Sequence, residues 1–255
     1  MSRKNTIYEY PLSERIRTLL RIEHLFNQLD HYIHGRSVWD SRIAVNTLFD
    51  ILDIFSRSDI KNEVIKESDR ALVKLKTLAE NPHIDTGRLD TILKAIERTN
   101  SNLHSLSGQP GSSLKDIPLL YAIRQRSTIP GGTCDFDLPV YHQWLEQSME
   151  SRQQQLLLWF HELEPIQQSI ELILKLLRNS AEFNSREAEN GLYQEALDNN
   201  MAYQLLRVAV AHDSCYFSEI SGSKHRFTIR FLEHKAKGNH QASETISFKI
   251  AKCLI

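Results

Sequence analysis

Up to about residue 181, apolar residues recur at spacings of three and four; beyond it, they alternate with polar ones. The first of these patterns predicts helices. Leu12, Ile16, Leu19, Ile22, Phe26, Leu29 and Ile33 form one stripe, opposite a polar face that carries Arg17, Arg21, His24 and Gln28. Ser13 suits the N-cap of this helix, and Gly35 suits its end. A second helix is predicted from about Val38 to Phe55. A third runs from about Ile60 to Glu80, with Pro82 after it, and a fourth follows Asp85 through Leu106. The short connections between them predict antiparallel neighbours in a bundle. Further helical stretches cover Pro139 to Glu146, Arg152 to His161 and Ile166 to Leu177.

The second pattern predicts strands at 203–210, at His225 to Leu232 and at Thr245 to Ala251, with turns at Ser221-Gly222-Ser223 and Gly238-Asn239. In the middle one, Phe227, Ile229 and Phe231 face one way, while Arg226, Thr228 and Arg230 face the other. Residues 6–10 form a lone N-terminal strand, stopped by Pro11. An isolated strand is unstable, so this one is expected to pair with the C-terminal strands. The predicted class is α+β: a mainly helical domain at 11–181, then a smaller antiparallel β domain at 182–255 that recruits strand 6–10.

Composition narrows the function. The chain has 255 residues, is 41% hydrophobic and 25% charged, and carries a formal net charge of -1. That balance gives no global attraction for nucleic acid or membranes, although a local basic patch remains compatible with it. Three widely spaced cysteines, Cys134, Cys215 and Cys253, fit reduced thiols. The run from Met1 to Pro11 has no hydrophobic signal core, and no apolar run reaches the length of a membrane span. The expected location is the cytoplasm, without membrane insertion.

The densest local signal is Arg124-Gln125-Arg126-Ser127-Thr128-Ile129-Pro130-Gly131-Gly132-Thr133-Cys134-Asp135-Phe136-Asp137-Leu138-Pro139. Its glycine pair is followed by neither Lys-Ser nor Lys-Thr, so it is not a phosphate loop of the nucleotide hydrolases. No GxGxxG or GxSxG occurs. His31 and His34 lie three apart on one helix but lack further ligands at metal spacing. Asp135 and Asp137 fall short of a calcium loop. Cys134 with His142 lacks the remaining parts of a thiol-nucleophile site. The expectation is a non-enzyme with no cofactor and no metal.

Binding chemistry remains. Arg17 and Arg21 share a helix face, Arg124 and Arg126 precede the glycine turn, and Lys224, His225, Arg226 and Arg230 cluster in the strand region. A solvated face and a convergent site for an acidic peptide both fit this pattern. Arginine favours the second reading chemically, because its fork donates two parallel hydrogen bonds to a carboxylate. A nucleic-acid-binding module using the same face is the alternative.

Three blocks resemble the ZapD family of bacterial cell-division proteins. They are Tyr10 to Glu23, Arg124 to Pro139 with His142 and Trp144 after it, and Ser221-Gly222 through Lys224, Arg226-Phe227 and Ile229-Arg230-Phe231. The chain departs from the family pattern most at 31–115 and 249–255. The resemblance implies a cytoplasmic protein at the midcell ring that binds the C-terminal tail of the tubulin-like protein FtsZ. It also implies a homodimer that cross-links FtsZ filaments. The tail is expected in a groove between the helical and β regions, with Arg17, Arg21, Arg124, Arg126, His142, Tyr216, Lys224, Arg226 and Arg230 as its contacts.

Overall fold

The computed structural model describes residues 5–78 and 85–255, the side chains of Leu78 and Arg88 excepted. The expected end of the third helix at Glu80, Pro82 and the segment Met1 to Lys4 lie outside the described residues. The chain divides into two compact units. One runs to Leu19 and resumes at Leu174; the other is Leu20–Ile173.

The helices of the described residues are α1 (Glu14–Ile33), α2 (Val38–Arg57), α3 (Ile60–Leu78), α4 (Thr86–Ser105), α5 (Pro118–Ser127), α6 (Pro139–Leu145), α7 (Met149–His161) and α8 (Glu164–Arg178). The predicted stripe of α1 is its buried face: Ile16, Leu19, Ile22, Phe26, Leu29 and Ile33 are all buried, as are Val45, Leu48, Leu52 and Phe55 of α2, while Leu12 lies before α1 and is half-buried. Local chemistry sets the ends. Ser13 Oγ accepts from the Ile16 amide at 3.3 Å, as an N-cap does. Ser37 and Asp40 form a reciprocal capping box at the start of α2. These bonds from Ser37 hold the Asp40 carboxyl below its usual range. Pro118, Pro139 and Pro165 each fall in a first helical turn, where the missing N–H costs nothing.

Helices α3 and α4 are antiparallel, as their bonds show. Lys61, at the start of α3, donates to the Leu106 carbonyl at 2.5 Å, and Asn100 donates to Asp69 at 3.0 Å. Buried Arg152 of α7 is the main polar fastener of this unit. It donates to Ser41 Oγ at 3.1 Å and to the Leu145 and Gln147 carbonyls at 3.1 and 2.5 Å, satisfying groups that three segments leave open.

The strands are β1 (Asn5–Pro11), β2 (Asn184–Ala188), β3 (Leu192–Ala196), β4 (Leu205–Ala211), β5 (Tyr216–Gly222), β6 (Arg226–Lys235), β7 (Gly238–Gln241) and β8 (Ile246–Cys253). They form two antiparallel sheets, β1-β4-β8-β2 and β3-β6-β5, with β7 beside β6. Strand β1 pairs with β4 from Asn5↔Ala211 to Pro11↔Leu205, so the N-terminal strand does join the C-terminal ones. Leu206, Val208, Phe227, Ile229, Phe231, Phe248 and Ile250 from both sheets pack into one core. A cluster of charges supports the junction: the Glu9 carboxylate accepts from Arg178 Nη2 at 2.8 Å and from Arg207 Nε at 2.9 Å.

Several expectations need correction in detail. The strand region holds two sheets, and β2, β3, β5 and β7 are additional to the predicted set. Gly222 closes β5, and the turn lies one step later, where the Ser223 amide donates to the Arg226 carbonyl at 2.8 Å. Gly238 begins a strand that pairs with β6 rather than separating two strands. Arg124 to Ser127, the start of the Pro-Gly-Gly segment, form the end of α5, a helix outside the predicted set.

Candidate functional site

Of the basic residues predicted to form a site, Lys224, Arg226 and Arg230 lie on β6 or in the turn before it. Its register places Arg226 opposite Ala196, Thr228 opposite Gln194 and Ser221, and Arg230 opposite Leu192 and Glu219. Opposed residues of antiparallel strands share a face. Arg226, Thr228 and Arg230 therefore look outward, while Phe227, Ile229 and Phe231, at 0–1% exposure, look into the core. The alternation read from the sequence is the alternation of the sheet.

Arg226, Thr228, Gln194, Ala196 and Ser221 line an open depression of about 610 Å³ on this outer face. Its lining also includes Gly222 and Ser223 from the end of β5 and the turn after it. Arg230 stands one pair further along, 4.0 Å from Glu219 Oε2, and both side chains are more than half exposed. That pair is loose enough to exchange for a ligand carboxylate at little cost.

The turn beside the depression carries Lys224 and His225, both exposed. It is held on two sides. His225 Nδ1 lies 2.7 Å from Asn199 Oδ1, and the His225 carbonyl accepts from the Leu197 amide at 2.7 Å. On the other side, the Tyr10 hydroxyl meets the backbone of Gly222.

Arg17 of α1 belongs to the same unit. Its guanidinium lies over the Tyr10 ring, 5.7 Å from the centroid, and its Nε donates to Glu14 at 3.0 Å. Burial works against this charge, but contacts with Glu14 and Tyr10 outweigh it and raise the guanidinium above its usual value. Tyr216 lies opposite Glu233 on β6, on the inner face of the sheet, and packs against the core. The sheet itself thus separates Tyr216 from Arg226 and Arg230. Burial pushes its phenol up first, and the nearby Glu244 adds to that.

The remaining predicted residues belong to the helical unit. Arg21 is exposed on α1. Arg124 is ion-paired with Asp53 and lies over the Phe49 ring, 6.0 Å from its centroid. With Phe49, Leu52, Leu114 and Tyr121 it borders a hollow of about 300 Å³. Arg126 sits 3.8 Å from Asp137 across the Pro130–Pro139 turns. His142 is exposed on α6. Cys134 Sγ contacts Asp137 Oδ2 at 3.4 Å. The glycine segment is braced from α2, where Arg42 donates to the Thr133 carbonyl at 3.3 Å and to its Oγ1 at 3.1 Å. Gly131 has φ +72°, and a Cβ on Gly132 would lie 2.7 Å from the Arg126 carbonyl oxygen, so both glycines are required by the backbone.

Sequence reasoning missed Tyr10, Asn199 and Gln194 as parts of this surface. None has a pattern of its own, because each takes its place from pairing with a distant strand. Among the described residues, no cluster of histidine, cysteine and acidic side chains is arranged to hold a metal, and no helix is long and apolar enough to cross a membrane.

The fold is of α+β class, and the polar groups of this surface are spread along an open sheet face. Comparison with known proteins gives the family. The model of the ZapD family, described as a cell division protein, matches residues 20–230. The chain is 44% identical over 250 residues to the cell division protein ZapD of Methylococcus capsulatus, covering 98% of each chain. It is 36% identical to the ZapD of Azoarcus sp. strain BH72, covering 97% of this chain and 99% of the relative. It is also 36% identical to that of Nitrosomonas europaea, covering 96% and 94%. The chain belongs to the ZapD family of cell division proteins.

Proposed function

We propose that this protein acts in the cytoplasm at the midcell division ring, where it binds the C-terminal tail of FtsZ and bundles FtsZ filaments. It works by binding rather than by catalysis. The outward pair Arg226 and Arg230, next to the turn that carries Lys224, is the observation that supports this most directly. A tail with carboxylates beside apolar residues matches that surface: arginine forks receive the carboxylates, and the short side chains around Thr228 let the backbone come close. Arg17 adds positive charge in the same unit. Arg21, Arg124, Arg126, His142 and Tyr216 are further candidate contacts, each to be tested singly.

A flexible tail pays an ordering cost on binding, so each site is weak. A homodimer carries two such sites, and a filament displays many tails. Together they convert weak contacts into firm cross-links through effective concentration. The test is charge reversal. Arg226→Glu and Arg230→Glu are each expected to weaken tail binding at least about tenfold, equivalent to about 1.4 kcal/mol, and to abolish bundling with the fold intact. Unchanged bundling by both folded variants contradicts this assignment.

A further inference from the structure

Gly222, just before the turn that carries Lys224 and Arg226, lies on an edge strand, because among the described residues β5 ends the order β3-β6-β5. The backbone groups of an edge strand that point away from its neighbour need other partners. At Gly222 that partner is the Tyr10 hydroxyl. It accepts from the Gly222 amide at 3.2 Å and donates to the Gly222 carbonyl at 3.3 Å. One side chain thereby satisfies both backbone groups of one residue.

Gly222 leaves no slack at this point. A Cβ there would lie 2.9 Å from the Phe227 Cβ and 3.3 Å from the Arg226 carbonyl oxygen. Tyr10 is itself fixed. It sits on β1 opposite Leu206 and packs against the core of the β unit. The same ring lies under the Arg17 guanidinium. A continuous path therefore runs from α1 through the Tyr10 ring to its hydroxyl, then to Gly222 and the turn that ends at Arg226.

We infer that Tyr10 is a positioning residue for the anion-binding face: its hydroxyl clamps the turn that presents Lys224 and Arg226, and its ring seats Arg17. The inference rests on the function proposed above. A preorganised turn pays less ordering entropy on binding than a loose one, so the clamp acts on affinity through Arg226.

The test compares Tyr10→Phe, which removes the hydroxyl and keeps the ring, in the native and Arg226→Ala backgrounds. Binding of a synthetic FtsZ C-terminal tail peptide is measured by calorimetry, and amide exchange at Gly222 by hydrogen–deuterium exchange. In the native background, the loss of a typical hydrogen bond predicts affinity reduced about three- to tenfold. Exchange at Gly222 should quicken by at least about fivefold, because that amide loses its acceptor. In the Arg226→Ala background, the additional loss of affinity should shrink below about twofold, the mark of two residues acting through one contact.

Equal losses in both backgrounds would mean a general structural role and would overturn the inference. So would unchanged exchange at Gly222. Unaltered peptide binding by Tyr10→Phe beside weakened binding by Arg226→Ala overturns the positioning role alone. Binding by Arg226→Ala equal to that of the parent protein overturns the assigned face, and the role of Tyr10 with it.

Discussion

At the scale of single residues, burial decides which groups titrate and which react. Tyr141 is 2% exposed, stacked on Trp144 with ring centroids 5.7 Å apart and lying under Arg42. Burial pushes its phenol up to about 12, although the Arg42 charge pulls the other way. The folded chain therefore keeps this proton where the unfolded chain, near 10.0, has begun to lose it. The stability tied to this group is intact below pH 10 and declines as pH rises through the window up to about 12. Within that window one group contributes a slope of about 1.4 kcal/mol per pH unit. Tyr141→Phe should flatten the alkaline decline by that amount in denaturant titrations at stepped pH; parallel declines for both proteins would contradict it. Cys253 behaves alike: burial raises its thiol to about 11, which leaves it protonated near neutrality, while Cys215 is exposed.

Residue scale is also where the sequence reading ran out. The outward direction of Arg226 and Arg230 was legible, because Phe227, Ile229 and Phe231 alternate with them and bury themselves. The partners of Arg124 and Arg126 were not. Asp53 lies 71 positions from Arg124, and only the packing of α2 against α5 brings the two together. Arg152 reads as one more charge on a polar helix, yet it is 5% exposed and bonded to three segments.

At the scale of elements, legibility follows burial. The long helices each bury a full stripe, so periodicity reveals them. Helix α5 buries only Leu120 and Ile123, too few to establish a period. Strand β2 buries only Ala188, and β7 buries none of its residues. Edge strands that face water on both sides carry no alternation to read. The β5–β6 hairpin was half legible: its turn residues were marked by Ser221-Gly222-Ser223, but the register was not. That register gives a prediction. A Cβ at Gly222 meets Phe227 and the Arg226 backbone, neither of which can yield easily. Gly222→Ala should destabilise the protein by about 1–3 kcal/mol in urea unfolding and weaken tail binding in parallel. A variant with the parent's midpoint and affinity would show that the turn has slack that the geometry denies.

At the scale of the whole molecule, β1 explains why the two ends of the chain belong to one unit. It pairs with β4, and Glu9 binds Arg178 and Arg207, with all three side chains at most a quarter exposed. The sequence indicated this pairing because residues 6–10 had no other strand to join. It did not indicate two sheets, since a sandwich and a single sheet bury the same alternating residues. The near-zero net charge of -1 has a consequence at this scale too. Under the proposed function, attraction to an acidic tail is local to the β6 face rather than global, so added salt should weaken binding once the Debye length falls below the spacing of the site charges.

The most direct measurement is co-sedimentation of this protein with polymerised FtsZ, in parallel with filaments of FtsZ lacking its C-terminal tail. The account predicts that it pellets with and bundles the intact filaments, and stays in the supernatant with the tailless ones. Equal pelleting with both kinds of filament would contradict the account.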